Sequence, residues 1–250
     1  MEVQDDYYSG PVGPNGFCLF PTSAENPTAQ YGVGPLGRLV TLNITPLTLQ
    51  TANVAALQAL TSGTAFTLAA GTGITTGSAP DGSGATVYVF DVARSVSLTS
   101  TANLSAINVL VTGYDVYSRK QTQLMAGPNN NTVNSLKAFK SILSVVPQST
   151  SASTMSVGTS DVFGLPFVAK NAAFVINAKW DSTLAANAGT FVAADVTSPA
   201  TNATGDTRGT FAQAGAASNG SRQLLVYLHV DGTQCGPNAT QVNAIGVTPV

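Results

Sequence analysis

The sequence has very few charged side chains. Asp, Glu, Lys and Arg account for only 22 of its 250 residues, or 9%, against about 25% in an average globular chain. With a net charge of −2 and no dense cluster of Lys and Arg, it lacks the basic surface that binds nucleic acid. Charged residues are depleted from interface cores, so this composition favours a protein whose surface is largely covered by other subunits. The alternative is a secreted β-protein with a surface rich in Ser and Thr.

Residues that carry enzyme chemistry are also scarce. The two glutamates are Glu2 and Glu25, and the one histidine is His229. A glycosidase usually needs two carboxylates at a defined separation, and a Ser-His-Asp triad here would lack the G-x-S-x-G elbow. The G-x-G-x-x-G at residues 32–37 follows a Pro-rich segment rather than a strand, and neither a P-loop nor a calcium loop occurs. We therefore expect a protein that is not an enzyme and that uses no cofactor or metal.

The two cysteines, Cys18 and Cys235, lie near opposite ends of the chain, and neither belongs to a C-x-x-C pair. This spacing predicts neither a zinc site nor a disulfide framework. The first ten residues lack the basic and apolar regions of a signal peptide, and no run of 18 apolar residues could span a membrane. We expect synthesis in a cytoplasm, two cysteines that are not bonded to each other, and no membrane partner.

A two-residue apolar period is the strongest pattern present, above all within residues 86–147. Val87 and Val89, then Val96 and Leu98, fall at every second position, as does an apolar run at 107–111. Ser/Thr, Asn and Gly-Pro clusters between these runs are typical of turns. The pattern predicts an all-β fold, an antiparallel β-sandwich or jelly-roll-like structure. At most one or two short helices are expected, the strongest candidate being TANVAALQAL at residues 51–60.

Three regions follow from the composition along the chain. Residues 1–37 contain five prolines and six glycines, so regular structure is not expected there, and we predict an extended N-terminal arm. The arm carries large apolar side chains that we expect to dock on its own domain or on a neighbouring subunit: Tyr7, Tyr8, Phe17, Leu19, Phe20 and Tyr31. Residues 38–155 are predicted to form a β-sandwich domain. Residues 156–250 are a second β region, either separate or part of the same domain, with an irregular C-terminal tail.

Two segments resemble a pattern found in structural proteins of tailed bacteriophages. Residues 93–146 contain an Arg-led strand ARSVSL, a TANLS turn, a VTGYD strand end, a GPN turn and a KAF strand. Residues 205–232, GDTRGTFAQAGAASNGSRQLLVYLHVDG, are similar to the closing segment of such proteins. The distinctive positions are Asp115, Gly127, Pro128, Phe139 and Arg208. The sequence departs from the pattern at Tyr117-Ser118, where the turn is expected to contain glycine.

The resemblance implies a virion component that is made in the host cytoplasm and assembles as a homo-oligomer with the major capsid protein or other virion proteins. The leading interpretation is a capsid cement or decoration protein, whose sandwich covers junctions between capsid subunits while its arm reaches a neighbour. The alternative is a tail, fibre or spike component with a receptor- or glycan-binding role, for which Trp180 and Asp181 are the candidate loop residues. A major shell protein is the third interpretation, although such a protein is usually larger and richer in helix.

Overall fold

The computed structural model describes residues 38–169, 175–181, 183–184 and 189–230, and every regular element in these ranges is a β-strand. The strands are β1 (Arg38–Ile44), β2 (Ala55–Leu60), β3 (Ile74–Ser78), β4 (Thr86–Thr99), β5 (Asn108–Tyr114), β6 (Lys120–Ala126), β7 (Thr132–Pro147), β8 (Ser151–Gly164), β9 (Val175–Trp180), β10 (Thr183–Leu184), β11 (Gly189–Val192), β12 (Thr210–Gln213) and β13 (Leu224–Val230). The prediction of an all-β fold is confirmed. The predicted arm, with its six large apolar residues, and both cysteines lie outside the described residues.

The strands form two antiparallel sheets. The larger sheet has nine strands in the order β11-β12-β8-β4-β7-β5-β6, with β2 paired to β8 and β3 paired to β4. The smaller sheet has the order β1-β13-β9-β10. Register shifts interrupt the β4–β7 and β4–β8 ladders, and such bulges bend and twist a strand. The sheets curl into a half-barrel of the sandwich type, which confirms the predicted architecture.

Two apolar cores lie inside this arrangement. The first fills the curl of the larger sheet and includes Val96, Leu98, Phe139 and Ile142, each at most 1% exposed. The two-residue period places Val96 and Leu98 on one face of β4, whereas Phe139 and Ile142 are three residues apart on β7, on either side of an interruption in its pairing with β4. The core gains about 1.5 to 3 kcal/mol for each such side chain that is fully buried.

The second core joins the smaller sheet to β8, β11 and β12. It contains Phe163, Trp180, Phe211 and Leu224, with Leu42 of β1 packed against it. Strand β8 contributes to both cores, because Met155 and Val157 lie in the first and Phe163 in the second. The domain boundary predicted at residues 155–156 therefore falls within one continuous strand.

The helix predicted at residues 51–60 is wrong. Residues 51–54 form a turn, and Ala55–Leu60 is strand β2, paired with β8. Intrinsic helix preferences differ by only about 0.7 kcal/mol for ordinary residues. Pairing with β8 satisfies the backbone and buries Val54, Ala55 and Leu60 to 1% exposure or less, which outweighs the preference of Ala and Leu for helix.

The turns named in the phage-like pattern pack against one another. Asn103 Oδ1 accepts a hydrogen bond from Ser105 N at 3.1 Å, and Asn103 forms a bridge with Asn129. Leu104 N donates to Pro128 O at 2.7 Å. A Cβ atom at Gly127 would lie 2.4 Å from Leu104 O, so only glycine fits there. The TANLS and GPN turns thus form one contact, which closes one end of β5.

Edge strands of the larger sheet are covered by local contacts. On β2, Gln58 Nε2 donates to Thr67 O and Gln58 Oε1 accepts from Thr67 N, both at 2.9 Å. This side-chain amide takes the place of a neighbouring strand. At the other end of the sheet, Leu124 N of β6 donates to Asn202 O at 2.7 Å. In the smaller sheet, β1 stands at the end of the order, with β13 as its one strand partner within the described ranges.

Candidate interaction surface

An exposed apolar groove lies beside β7 and β11. It has a volume of about 670 Å³ and is lined by Leu136 of β7, Val192 of β11 and the chain that follows, including Val196. These three side chains are 55%, 52% and 48% exposed. Large apolar side chains gathered in one exposed patch are typical of a site that contacts another molecule. We refer to this feature as the Leu136 groove.

The wall of the Leu136 groove is held by hydrogen bonds around Asp195. Its carboxylate accepts from Thr197 N at 3.0 Å and from Gly205 N at 2.9 Å, while Asp195 N donates to Asp206 O at 2.8 Å. The bonds with Thr197 and Gly205 lower the pKa of Asp195 below its ordinary value, because they favour the charged carboxylate. The groove is therefore built on fixed backbone before any partner binds.

Lys137 follows Leu136 on β7 and points the opposite way, into the protein. It is 2% exposed, and its Nζ donates to Thr122 O at 2.9 Å and Thr201 O at 2.7 Å. Burial lowers the pKa of Lys137, since desolvation penalises the ammonium form. Because successive side chains of a strand point to opposite faces, Leu136 lies at the surface and the ammonium group of Lys137 is buried.

Asp206 is buried behind the groove and fixes the turn that precedes β12. Its carboxylate accepts from Arg208 N at 2.8 Å and Gly209 N at 3.2 Å, and from Ala138 N of β7 at 2.9 Å. Burial raises the pKa of Asp206, although nearby Arg208 and the backbone donors act in the opposite direction. These bonds attach residues 206–209 to the centre of the larger sheet.

A buried ion pair joins Arg208 to Asp115 at the end of β5. Asp115 also accepts from Tyr117 N at 2.8 Å and Arg119 N at 2.9 Å, which shapes the β5–β6 turn. The guanidinium of Arg208 lies over the ring of Tyr117, 5.0 Å from its centroid, and Tyr117 Oη donates to Pro166 O at 2.8 Å.

Ser118 has a φ of 62°, a conformation that favours glycine. Here the turn keeps the glycine-like geometry, and Tyr117 supplies a contact that glycine could not make.

A second buried arginine, Arg94 of β4, connects three stretches of chain. It forms ion pairs with Asp91 at 3.3 Å and Asp161 at 3.1 Å, and donates to Leu47 O at 3.2 Å. Ser218 closes the cluster by donating through its N to the Asp161 carboxylate at 2.8 Å and through its Oγ to Leu47 O at 2.8 Å. Arg94 thereby ties the segment after β1, the strand β8 and the loop before β13 together.

In the described part of the protein, some charged side chains are buried while a few large apolar ones are exposed. Five charged side chains are buried in it: Arg94, Asp115, Lys137, Asp206 and Arg208. Because the whole chain has only 22 charged residues, this burial leaves a surface even poorer in charge than the composition predicts. Such a surface costs little to desolvate when it is covered by a partner.

The sequence-predicted positions divide into three groups. The arm residues Tyr7, Tyr8, Phe17, Leu19, Phe20 and Tyr31 lie outside the described residues. Trp180 is 5% exposed and donates from Nε1 to Ala216 O at 2.8 Å, so it belongs to the core. The distinctive positions Asp115 and Arg208 meet in an ion pair across 93 residues of sequence.

The Leu136 groove was not predicted from the sequence. Its one signal is the sequence Ser135-Leu136-Lys137, in which a leucine stands between two polar residues that the structure buries. Its other wall comes from residues 192–205, far along the chain, so periodicity within one strand cannot reveal it. In the residues that the structure describes, no group of three or more His, Cys, Asp or Glu is placed to hold a metal ion.

Comparison with known proteins leaves the chain without an assigned family. Within the described ranges, no helix is long and apolar enough to cross a membrane. The phage-like pattern in residues 93–146 and 205–232 stays a resemblance. No family model, curated protein or solved structure matches this chain.

Proposed function

We propose that this protein is a non-enzymatic structural component of a virion, a cement or decoration protein that stabilises a phage head through contacts between subunits. The observation that carries the proposal is the gathering of the exposed side chains Leu136, Val192 and Val196 in one groove, on a protein that buries five of its few charged side chains. An apolar groove that stays in water gains no burial free energy. A protein pressed against a shell gains apolar burial at about 25 cal/mol per Å².

The proposed partners are the major capsid protein, or another virion protein, and further copies of this chain. The Leu136 groove receives an apolar segment of a neighbour, and the N-terminal arm reaches across to a second subunit. The large apolar side chains of that arm supply its contacts: Tyr7, Tyr8, Phe17, Leu19, Phe20 and Tyr31. Low surface charge leaves neither an attraction for nucleic acid nor a barrier to close packing.

A tail, fibre or spike component with a receptor- or glycan-binding role is the second candidate. It would need exposed aromatic side chains near Asp or Asn in loops. Trp180, its one close candidate in the sequence, is buried between the two sheets, which removes the specific support for this candidate. The cement function remains the one that we favour.

Counting copies in purified particles tests the proposal. Quantitative mass spectrometry of virions from the source culture should find this chain in numbers comparable to the major capsid protein. A tail or fibre component would be present in few copies per particle. The absence of the chain from purified particles would overturn the proposal.

A re-binding assay on particles depleted of this chain tests the surface. Leu136→Asp places a charge in the groove and should reduce binding at least about tenfold, which corresponds to 1.4 kcal/mol. Leu57→Asp is the matched control, because Leu57 is also a strand leucine and is 63% exposed, but it lies outside the groove. A chain lacking residues 1–20 should also bind weakly. Equal binding by the two leucine variants would rule out the groove as the contact.

A further inference from the structure

A small cleft lies between β1 of the smaller sheet and β4 of the larger one. Its volume is about 210 Å³, and its apolar wall consists of five large side chains: Leu42, Ile44, Val92, Val116 and Pro166. Leu42, Ile44 and Val92 also pack against the second core, so the fold holds this wall in place. Val116 is 41% exposed, whereas the other four are partly buried. Val116 therefore lies at the mouth of the cleft.

A bulge in β4 places one ammonium group beside this wall. The register of β4 with β7 is shifted at this point, so that residues 90–93 stand opposite Lys140 of β7. Lys140 lines the cleft, and its Nζ donates to Phe90 O at 2.6 Å and to Asp91 O at 2.9 Å. Bulges often lie next to functional sites, where they change the direction of a side chain. The lysine thus binds two carbonyl groups of the bulge, and these bonds fix its position in the cleft.

Lys140 has bonding capacity left for an anion. An ammonium has three N–H groups, and the two carbonyls are the acceptors that the described residues offer it. The carboxylate of Asp91 has other partners, since it accepts from Leu47 N at 2.6 Å and from Arg94 Nη1 at 3.3 Å. Burial lowers the pKa of Lys140, although Asp91 acts in the opposite direction, because desolvation penalises the ammonium form. A carboxylate beside the ammonium would compensate that charge through a charge-assisted hydrogen bond.

We propose that this cleft binds a short aliphatic carboxylate, which accepts a hydrogen bond from Lys140 Nζ while its alkyl chain lies against the apolar wall. The 210 Å³ of the cleft, at about 30 Å³ for each water in the liquid, would hold about seven waters or a ligand with about seven non-hydrogen atoms. Pentanoate has this size. Sites for larger molecules usually measure about 300–1,000 Å³, so the cleft selects a small ligand.

The carboxylate side chain of a partner protein fits the cleft less well than a free acid does. Asp and Glu carry only one or two methylene groups, which are too few to cover the apolar wall. Each further methylene that is buried should tighten binding by about fourfold. The inference goes beyond the proposed function, because no residue that lines this cleft also lines the Leu136 groove.

Titration of the ¹⁵N-labelled full chain with sodium pentanoate, followed by NMR of the backbone amides, tests the site. The amide signals of Val92, Val116 and Lys140 should shift and saturate with a Kd of about 1–10 mM, because a ligand with few atoms gains little affinity. Pentanamide has the same size without the charge and should bind at least about tenfold more weakly. Acetate keeps the charge but lacks most of the alkyl chain, and it should also bind at least about tenfold more weakly. Absence of saturable shifts at these amides, or equal binding of pentanamide, would overturn the proposal.

Two pairs of variants separate the cleft from general ion binding. Lys140→Met should weaken pentanoate binding at least about tenfold, whereas Lys120→Met, at an exposed lysine outside the cleft, should leave the Kd unchanged. If Lys140→Met fails to give a folded protein, Val116→Asp places a negative charge at the mouth and should weaken binding similarly. Its control is Leu57→Asp, because Leu57 is 63% exposed and lies outside the cleft. Equal effects of a variant and its control would overturn the proposal. Virion binding is not involved, so failure here leaves the proposed function standing.

Discussion

The two buried arginines, Arg94 and Arg208, differ in the number of partners and hardly in burial. They are 1% and 3% exposed. Arg94 bonds two carboxylates, the Leu47 carbonyl and Ser218. Arg208 bonds one carboxylate. Each arginine has one buried nitrogen without a hydrogen-bond partner among the described residues, Nε of Arg94 and Nη1 of Arg208. The two arginines are therefore buried to a similar extent but compensate different numbers of carboxylates.

The difference shows what each arginine does for the fold. Arg94 bonds both Asp91 and Asp161, each of which also accepts from one backbone N–H, of Leu47 and of Ser218. Loss of Arg94 therefore leaves two carboxylates without their cation. Asp115, the partner of Arg208, has two backbone N–H donors of its own. Removing a partner of a buried ion pair leaves an uncompensated charge, which costs about 3–5 kcal/mol. The cost should therefore be larger at Arg94 than at Arg208.

Arg94→Met should give the largest loss of stability in the described structure. Two carboxylates would lose their cation, and we expect a cost near the upper end of the range, about 5 kcal/mol. Urea denaturation at pH 7 measures the change. The matched control is Arg222→Met, because Arg222 contacts the same loop through Ala217 O but is partly exposed, with an ion pair to Asp181 at 3.6 Å. Its cost should stay within about 1 kcal/mol.

Arg208→Met should cost less, about 3 kcal/mol, because only one bonded carboxylate, Asp115, loses its cation. Adding Asp115→Asn should recover part of the loss, since the double variant no longer buries an unpaired carboxylate. The cycle of two single variants and one double variant then gives a coupling free energy of about 0.5–3 kcal/mol. A cost for Arg208→Met equal to that of Arg94→Met would break the distinction between the two arginines.

A smaller effect should appear as a pH dependence around Arg208. Burial raises the pKa of Asp206, so its contribution to stability is fully present below the ordinary value of 3.8 and is lost as the pH rises through the folded value. The pKa of Asp195 is lowered, so its contribution is present above 3.8 and is lost as the pH falls towards the folded value.

The two aspartates are neighbours in space, which makes each a control for the other. Denaturation midpoints of wild type, Asp206→Asn and Asp195→Asn between pH 3 and pH 7 measure the effect. As the pH falls, the stability of wild type relative to Asp206→Asn should rise, and that relative to Asp195→Asn should decline. Parallel slopes for the two variants would contradict the opposite pKa directions.

The strands were predictable from the sequence, whereas the groove and the ion pairs were not. Alternation at Val96 and Leu98 reports burial on one face of a strand, which is a local property. The segment 51–60 was predicted as helix because Ala and Leu favour helix locally, but its pairing with β8 lies about 100 residues away. The Asp115–Arg208 pair and the two walls of the Leu136 groove likewise join distant segments. No spacing within one strand encodes such contacts.

The edge of β2 is covered by a single side-chain amide, that of Gln58, which can be hydrolysed as the protein ages. This amide closes the edge of β2 by donating to Thr67 O and accepting from Thr67 N. Hydrolysis of that amide to a carboxylate would keep the acceptor but remove the donor, leaving two oxygens facing each other. Chemical ageing at this one side chain would therefore uncover a strand edge, and uncovered edges are where β-proteins aggregate.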